Sequence, residues 1–311
     1  MHSLDQDPPY CLQIELTEDC NLRCEFCGLN GIRGDKRSYK FMTVELAKTI
    51  VDNLILLKEK KWNPRLEFAM HGEPTLNPDF DEIVSLFKTT GLPMLLTTNG
   101  SAVLKRNIRP FNVVAIDCYE HSRKIWEPIV ESYKGKPHLW YPDDGAEANP
   151  HRRREFWEHD IIFTRDISVT TKGTHSVLNN HCGSAGPLNS KAEGKRCAKP
   201  FREMSIRYDG NVAICCNDWR GVYKVGNIKD GVKTIWDSEP FQVARRFLYN
   251  GERTFDPCKG CDALSYRPGL LPDAKGKLSL PSPSSDDIEF AKNASSGSSF
   301  TDPVLRPWEK S

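Results

Sequence analysis

Eleven cysteines in a chain of 311 residues are the groups from which chemistry would come. Three of them form Cys20-Asn-Leu-Arg-Cys24-Glu-Phe-Cys27, a C-x3-C-x2-C spacing on one short stretch. Three thiolates held that close together can bind three irons of a [4Fe-4S] cluster and leave the fourth iron open to another ligand. Zinc prefers four closed ligands, often two C-x2-C pairs ~15–20 residues apart, and no second pair lies near this one. A second group lies in the C-terminal half: Cys197, twelve residues, Gly210, four residues, Cys215 and, later, Cys258-x2-Cys261. Those four thiols suffice to close a second [4Fe-4S] cluster, with a zinc ion on the same four as the competing reading.

The pattern between the cysteines indicates what positions them. Residues 10–17, YCLQIELT, alternate with Leu12, Ile14 and Leu16 on one face, predicting a strand that runs into the first cysteine loop. Thr43 caps a predicted helix carrying Leu46, Ile50, Leu54 and Leu57. Leu66 to Met70 reads as a second strand and ends at His71-Gly72-Glu73-Pro74. A helix follows Pro78 with Phe80, Ile83, Val84 and Phe87 inward; strands at Met94 to Thr98 and Val113 to Asp117 follow, and Ile161 to Ile167 fits another. Strand–helix units at roughly 25–30 residue spacing argue for parallel βα units. Such sheets and barrels carry their chemistry at the carboxyl ends of the strands. The cysteine loop, Gly72-Glu73-Pro74, Asn99-Gly100 and Asp117 or Cys118 all fall there, so they are expected in one site. Alternation lets only one of Asp117 and Cys118 face the lumen, and Asp117 is the choice.

Beyond about residue 180 the character changes to Gly, Cys and short strands. Met204 to Tyr208, Asp209-Gly210 and Val212 to Ile214 read as a hairpin with a primed turn. Glu239 to Asn250 reads as a helix with Ser238 as cap, Pro240 in the first turn and Gly251 at its end. After Tyr266 the chain becomes Pro- and Ser-rich (PSPSSDD, NASSGSS) and reads as a polar tail.

Charge excludes some partners. With 43 Lys+Arg against 42 Asp+Glu, the net charge is +1, which disfavours a nucleic-acid binder. Arg152-Arg153-Arg154 is a surface run, with phosphate recognition as the alternative. No apolar run reaches ~18 residues, so no membrane span is expected. The N-terminal MHSLDQDPPY lacks the features of a signal peptide, which points to the cytoplasm. In a reducing compartment, cysteines in this number serve metal or redox chemistry rather than disulfides.

Cys20, Cys24 and Cys27, with Phe26 before the last cysteine and Gly72-Glu73-Pro74 after the second strand, resemble the signature of radical S-adenosylmethionine enzymes. The resemblance covers roughly residues 10–170. It implies that the open iron binds the amino and carboxylate groups of S-adenosylmethionine. One electron then cleaves this cofactor to methionine and a 5′-deoxyadenosyl radical, which abstracts hydrogen from a substrate. By the same resemblance, Gly72, Glu73 and Pro74 hold the methionine ammonium, with His71 departing from the family's first glycine. Phe26 lies near adenine, and Asn99 meets the ribose or carboxylate. The later cysteines resemble the auxiliary-cluster domain of such enzymes in its short, twitch form. No cysteines follow Cys261 as the longer SPASM form would require. The glycine-plus-four spacing favours Cys215 over Cys216, and the distance to Gly210 favours Cys197 over Cys182. Cys11, Cys118, Cys182 and Cys216 are then unligated thiols, buried by default.

The resemblance therefore implies an α/β fold: a partial (β/α)6 barrel over 1–175, a small α+β twitch-like auxiliary domain over 176–265 and a tail over 266–311. Two [4Fe-4S] clusters and S-adenosylmethionine are the expected cofactors, reduced by a flavodoxin- or ferredoxin-type donor. A fully ligated auxiliary cluster suits electron transfer, as in the related dehydrogenase of 2-deoxy-scyllo-inosamine. The expected reaction is therefore oxidation of a small polar metabolite of the amino-sugar or cyclitol kind. Asp218 is a candidate proton acceptor or hydroxyl binder, with Trp219 beside it. Redox-neutral epimerisation is the first alternative and needs a thiol hydrogen donor, for which Cys118 and Cys216 are the candidates. Peptide modification is a second alternative, disfavoured because the cluster loop begins by residue 20 and leaves no room for a leader-binding domain. A non-catalytic iron–sulfur scaffold or electron carrier is a third, and it gives no reason for Gly72-Glu73-Pro74.

Overall fold

The computed structural model describes residues 8–24, 26–32, 38–58, 61–117, 122–133, 139–140, 160–164, 179–263 and 280–295. The chain opens with β1 (Cys11–Ile14) and a small antiparallel ribbon of β2 (Thr17–Glu18) and β3 (Lys40–Phe41). Next come α1 (Val44–Lys58), β4 (Arg65–Phe68), α2 (Phe80–Lys88), β5 (Met94–Thr98), β6 (Val113–Asp117), α3 (Arg123–Tyr133), β7 (Leu139–Trp140) and β8 (Asp160–Thr164). The later part holds α4 (Lys199–Arg202), β9 (Glu203–Ile206), β10 (Asn211–Ala213), β11 (Gly226–Asn227), α5 (Val232–Trp236), α6 (Glu239–Tyr249) and α7 (Ser285–Ser295). One nine-stranded sheet runs in the order β11-β10-β9-β1-β4-β5-β6-β8-β7. It is parallel from β9 through β7 and antiparallel only at the β9–β10–β11 edge. The fold is α/β around a mostly parallel sheet. No helix among the described residues is long and apolar enough to cross a membrane.

The two faces of this sheet differ chemically. Leu12 and Ile14 of β1, Leu66 and Phe68 of β4, Met94 and Leu96 of β5, Val114 and Ile116 of β6, and Met204 and Ile206 of β9 all belong to one buried core. That core also takes Ile50 and Leu54 of α1, Ile83 and Phe87 of α2, and Val243 and Phe247 of α6. Phe68 anchors it, meeting Phe87 edge-on at 5.2 Å and Phe111 edge-on at 5.3 Å. The opposite face carries polar side chains: Ser205 Oγ donates to Gln13 Oε1 at 2.9 Å, and Gln13 Nε2 donates to Glu67 Oε2 at 3.5 Å. Since Ile116 faces the core, alternation turns Asp117 to the polar side.

Several local expectations were altered by tertiary context. The Asp209-Gly210 turn is not primed, because Gly210 has φ +83 while Asp209 is not among the residues with positive φ. Gly210 N bonds to Arg207 O, and Arg207 N to Asn211 O, which makes a type I turn closed by a left-handed glycine bulge. Ser238 is at the N-cap of α6, but its hydroxyl makes no capping bond. Within the span read as a tail, α7 is a docked helix. Ser284 and Asp287 form a reciprocal capping box, with Asp287 N to Ser284 Oγ at 3.1 Å and Ser284 N to Asp287 Oδ2 at 2.9 Å. Arg246 Nε of α6 reaches Asp287 at 3.0 Å, and Ala291 is buried. The S-x-x-D signal was there to read, masked by the Ser- and Pro-rich surroundings.

Truncating Phe68 to Ala removes the ring that two aromatic neighbours pack against. Phe68→Ala is expected to cost about 3–5 kcal/mol in denaturant unfolding. A loss under about 1 kcal/mol would contradict this assignment of the core.

Candidate active site

The first cysteine loop is fixed at its root. Asp19, at φ 86, accepts from Cys20 N at 2.7 Å and from Ser38 N at 2.8 Å, so one carboxylate holds both ends of the loop. The second motif runs directly against that root. Asp19 pairs with Gly72 in an isolated parallel bridge, and Glu73 N donates to Asp19 O at 3.2 Å. A Cβ on Gly72 would lie 2.0 Å from Thr17 O and 2.5 Å from Asp19 O, so only glycine allows this approach.

The side chains then interlock. Glu73 is buried and accepts from Thr75 N at 3.1 Å, Thr75 Oγ1 at 2.5 Å, Thr98 Oγ1 at 2.6 Å and Asn99 N at 2.7 Å. Burial raises its carboxyl despite those donors. Pro74 is buried behind it and starts a short 3-10 turn. Asn99 Nδ2 crosses to the cysteine loop, donating to Cys20 Sγ at 3.3 Å and Asn21 Oδ1 at 3.0 Å. Burial, with the charges of Glu73 and Cys27, pushes the Cys20 thiol up to about 12. Burial, with Cys27, Cys20 and Asp117, does the same to Cys24. Three thiols on one loop fit an iron–sulfur cluster.

Cys20, Cys24, Cys27, Glu73, Thr98 and Asn99 line a cavity of about 260 Å³ together with Phe26, His71, Gly72 and Asp117. Asn179, His181 and Trp219, from the second cysteine region, complete its wall. The cysteine loop and the later chain touch closely there. A Cβ on Gly28 would lie 2.6 Å from the Trp219 ring, and one on Gly31 would lie 2.2 Å from Ser184 O. Trp219 Nε1 donates to His181 Nδ1 at 3.0 Å, and its ring lies 4.4 Å from His71. Burial, with His71 nearby, lowers His181 to about 4.

Beneath this wall lies a charged group that sequence reasoning missed. Glu15, fully buried, faces His71 Nδ1 across 3.0 Å and Arg207 Nε across 3.7 Å, and accepts from Tyr208 N at 3.1 Å. Arg207 also pairs with Glu18 and donates to Trp219 O at 3.3 Å. Burial alone would raise Glu15, but His71, Arg207 and the Tyr208 N–H outweigh it and hold the carboxyl below its usual range. The available signal was a glutamate inside an apolar strand end, which does not reveal its partners 56 and 192 residues away.

The later cysteines also converge. Cys197, Cys215, Cys258 and Cys261 are all buried. Burial and the charges of Cys215, Cys197 and Cys261 raise the Cys258 thiol well above its ordinary value. A hydrogen bond from Cys182, with the Ala263 N–H and the Arg253 charge, brings Cys261 down to about 6 against its burial. The loop that carries Cys182 is fastened to the same turn, Asn180 N donating to Asp262 Oδ1 at 2.6 Å and Asn180 Nδ2 to Gly260 O at 2.8 Å. Four buried thiols in this part of the chain are a donor set that an iron–sulfur cluster or a zinc ion could use.

Of the candidate catalytic residues, Asp117 lines the cavity. Cys118, like Arg152–Arg154, lies outside the described residues. Cys216 turns away: Lys199 Nζ donates to its Sγ at 3.2 Å, and the cysteines lining the cavity among the described residues are those of the first loop. Asp218 turns away as well, its buried carboxylate accepting from Val222 N at 3.1 Å and Tyr223 N at 3.3 Å. Local turn geometry claims Asp218, while its neighbour Trp219 reaches the cavity.

Residues 14–132 match the Radical SAM superfamily, and residues 197–262 match SPASM, an iron-sulfur cluster-binding domain. The chain is 31% identical over 119 residues to a probable GTP 3′,8-cyclase of Thermococcus kodakarensis, covering 38% of this chain and 36% of that one. It is 28% identical over 114 residues to a tungsten-containing aldehyde ferredoxin oxidoreductase cofactor-modifying protein of Pyrococcus furiosus, covering 37% and 30%. The chain spans about a third of the length of these curated relatives. The crystal structure of BtrN in complex with AdoMet and 2-DOIA superposes with a TM-score of 0.60 at 20% identity, covering 84% of this chain and 95% of that one. BtrN in an open conformation gives a TM-score of 0.56 at 17% identity, covering 88% and 99%. These likenesses establish a shared fold.

Two outcomes follow from the geometry. Gly72→Ala must push the two segments apart, which is expected to cost about 1–3 kcal/mol of stability and to lower iron uptake at Cys20, Cys24 and Cys27; unchanged iron content would contradict the close approach. Glu15 has a lowered carboxyl, so its contribution is complete above the ordinary value of 4.5 and is lost as pH falls through the folded value. The stability difference between wild type and Glu15→Gln should therefore shrink as urea unfolding is repeated from pH 7 down to pH 3. A difference independent of pH would contradict the pairing.

Proposed function

The chain belongs to the radical SAM superfamily and carries a SPASM iron–sulfur cluster-binding domain, and on that footing we propose that it oxidises a small polar metabolite of the amino-sugar or cyclitol kind by hydrogen abstraction. The observation that carries the proposal is the shared cavity. The three cysteines of the first loop, Glu73, Asn99 and Asp117 line the same chamber as Asn179, His181 and Trp219. The last three come from the part of the chain that also holds the auxiliary thiols. In this reading residues 1–175 are the barrel part and 176–265 the auxiliary part.

Cys20, Cys24 and Cys27 would hold one [4Fe-4S] cluster, and Cys197, Cys215, Cys258 and Cys261 a second. When bound, the first cluster and S-adenosylmethionine supply a 5′-deoxyadenosyl radical that takes one hydrogen atom from the substrate, and the second supplies an acceptor for the electron left behind. The chain's own residues do the rest. Asp117, at the end of β6 on the polar face, takes the proton released as the substrate is oxidised. Phe26, Gly72, Glu73 and Asn99 form the cofactor side of the chamber. Asn179 and His181 are positioned to bind polar substituents of the substrate, with Trp219 as an apolar wall. Asn179, His181 and Trp219 give the chamber the few polar groups and the aromatic wall that a small-metabolite site uses. A flavodoxin- or ferredoxin-type protein would supply the reducing electron.

We read oxidation ahead of epimerisation because four buried thiols, Cys197, Cys215, Cys258 and Cys261, would hold an electron acceptor, whereas the thiol of Cys216, one of the two candidate hydrogen donors, is held by Lys199. The fold is shared with BtrN, whose structure is a complex with AdoMet and 2-DOIA, and a small polar substrate is in keeping with that. The identity to GTP 3′,8-cyclases extends over about a third of the chain and favours the shared radical machinery more than a shared substrate.

The test is anaerobic reconstitution with dithionite and S-adenosylmethionine. About eight irons are expected in wild type and about four in the Cys20/Cys24/Cys27→Ala variant, with 5′-deoxyadenosine only from wild type. With deuterated candidate substrates, label should enter 5′-deoxyadenosine and the product should be two hydrogens poorer. The Cys258/Cys261→Ala variant should still take up label while its oxidised product falls at least tenfold. A product with the substrate's own mass and inverted configuration would overturn oxidation.

A further inference from the structure

The turn between Cys258 and Cys261 reaches the surface. Both thiols are buried, but Lys259 between them is exposed and Gly260 is half-buried. One short segment lies on this turn. Asn189 N donates to Gly260 O at 3.1 Å, and a Cβ on Gly260 would lie 2.7 Å from Leu188 Cβ. Leu188 thus rests directly on the turn and is still 48% exposed. A soluble surface leaves a large apolar side chain on a ligand-bearing turn at a cost, unless something covers it.

Positive charge surrounds this leucine. Arg253 ties the next part of the segment to the far side of the turn, with Nε donating to Lys195 O at 2.9 Å and Nη1 to Cys261 O at 3.4 Å. Over 187–196 and 254–260 the exposed charges are Lys191, Lys195, Arg196 and Lys259 against Glu193 and Asp256. Half-buried Arg220 joins Leu188 and Lys259 on the rim of a cavity of about 330 Å³. Cations therefore dominate here, in a chain whose net charge is only +1. An apolar centre with a rim of one sign fits a partner of the opposite sign, and electron-transfer proteins meet through small interfaces below about 1,200 Å².

We propose that the Leu188 patch is the docking face for a small acidic electron carrier of the flavodoxin class, which takes from the auxiliary cluster the electron that substrate oxidation leaves there. Electron transfer falls steeply with distance, so the exit belongs where a turn bearing two of the thiols comes to the surface. One electron leaves the reduced cluster, and the oxidised flavin takes it up with one proton from solvent to give the semiquinone. No bond of the chain forms or breaks. The inference rests on the two-cluster reading above, and the experiment separates the two.

The full-length Cys20/Cys24/Cys27→Ala variant is reconstituted so that the auxiliary site alone holds iron, about four per chain. It is reduced with dithionite, freed of excess reductant and mixed anaerobically with a purified oxidised flavodoxin. Semiquinone should form, at a rate that falls as salt is raised. Adding Lys191→Glu and Lys259→Glu should slow this step about tenfold or more at low salt, while iron content and the rate to neutral duroquinone stay unchanged. A flavodoxin rate that the two reversals do not move would overturn the docking face. So would duroquinone reduction with no flavodoxin reduction. A particle mass by light scattering that halves on the two reversals would give the patch to a second copy of this chain and overturn the carrier. Loss of all iron from the Cys20/Cys24/Cys27→Ala variant would overturn the auxiliary cluster itself, and the docking with it.

Discussion

Glu15 is a carboxylate with no exposed surface, placed where three parallel strands end. It follows β1, faces His71 just beyond β4, and just beyond β9 pairs with the Arg207 charge and accepts from Tyr208 N. A buried charge without partners costs several kcal/mol, so the three strand ends must stay in register for the molecule to tolerate it. That register places the cysteine loop after β1, the Gly72-Glu73 turn after β4 and the hairpin leading to Cys215 on one edge of one sheet. Arg207 then carries the connection onward through Glu18 and Trp219. The group that fixes the frame takes no direct part in the proposed chemistry.

The two thiol groups are neighbours because the chain between them is shared. Along residues 179–182, Asn179 and His181 line the chamber while Asn180 fastens the Cys182 loop to the Cys258–Cys261 turn. Along 215–219, Cys215 joins the auxiliary thiols and Trp219 lines the chamber. Adjacent residues point to opposite sides of one thin wall. An electron leaving a substrate in the chamber would have only this wall to cross, with an aromatic ring set in it. The wall is held rigid by packing that excludes even a methyl group at Gly28 and Gly31.

Much of the site was legible in local pattern. C-x3-C-x2-C, the helical repeats of α1 and α2, and the strands ending at Glu73, Asn99 and Asp117 depend on residues close together in sequence, and the structure brings those groups into one chamber. The glycine-plus-four spacing favours Cys215 over Cys216, and in the fold the Cys216 thiol accepts from Lys199 Nζ at 3.2 Å. Asp218 was read as lining the site because it neighbours the auxiliary cysteines, but two backbone N–H groups of its own turn claim its carboxylate. The α7 capping box was local too and went unread, since composition weighed more than a four-residue motif.

What the sequence by itself determined is therefore the kind of chemistry: the ligand spacing, the βα order and the near-zero net charge, each a property of short stretches or of composition. What only the tertiary structure decided is which distant groups meet: Glu15 with His71 and Arg207, Trp219 with the first cysteine loop, and Asn180 with Gly260 and Asp262. The physical reason is that spacing along the chain constrains side chains only within a helical turn or a strand pleat. Contacts across tens or hundreds of residues are set by strand register and by the packing of loops on the sheet edge. Those are properties of the whole folded chain, and no short motif encodes them.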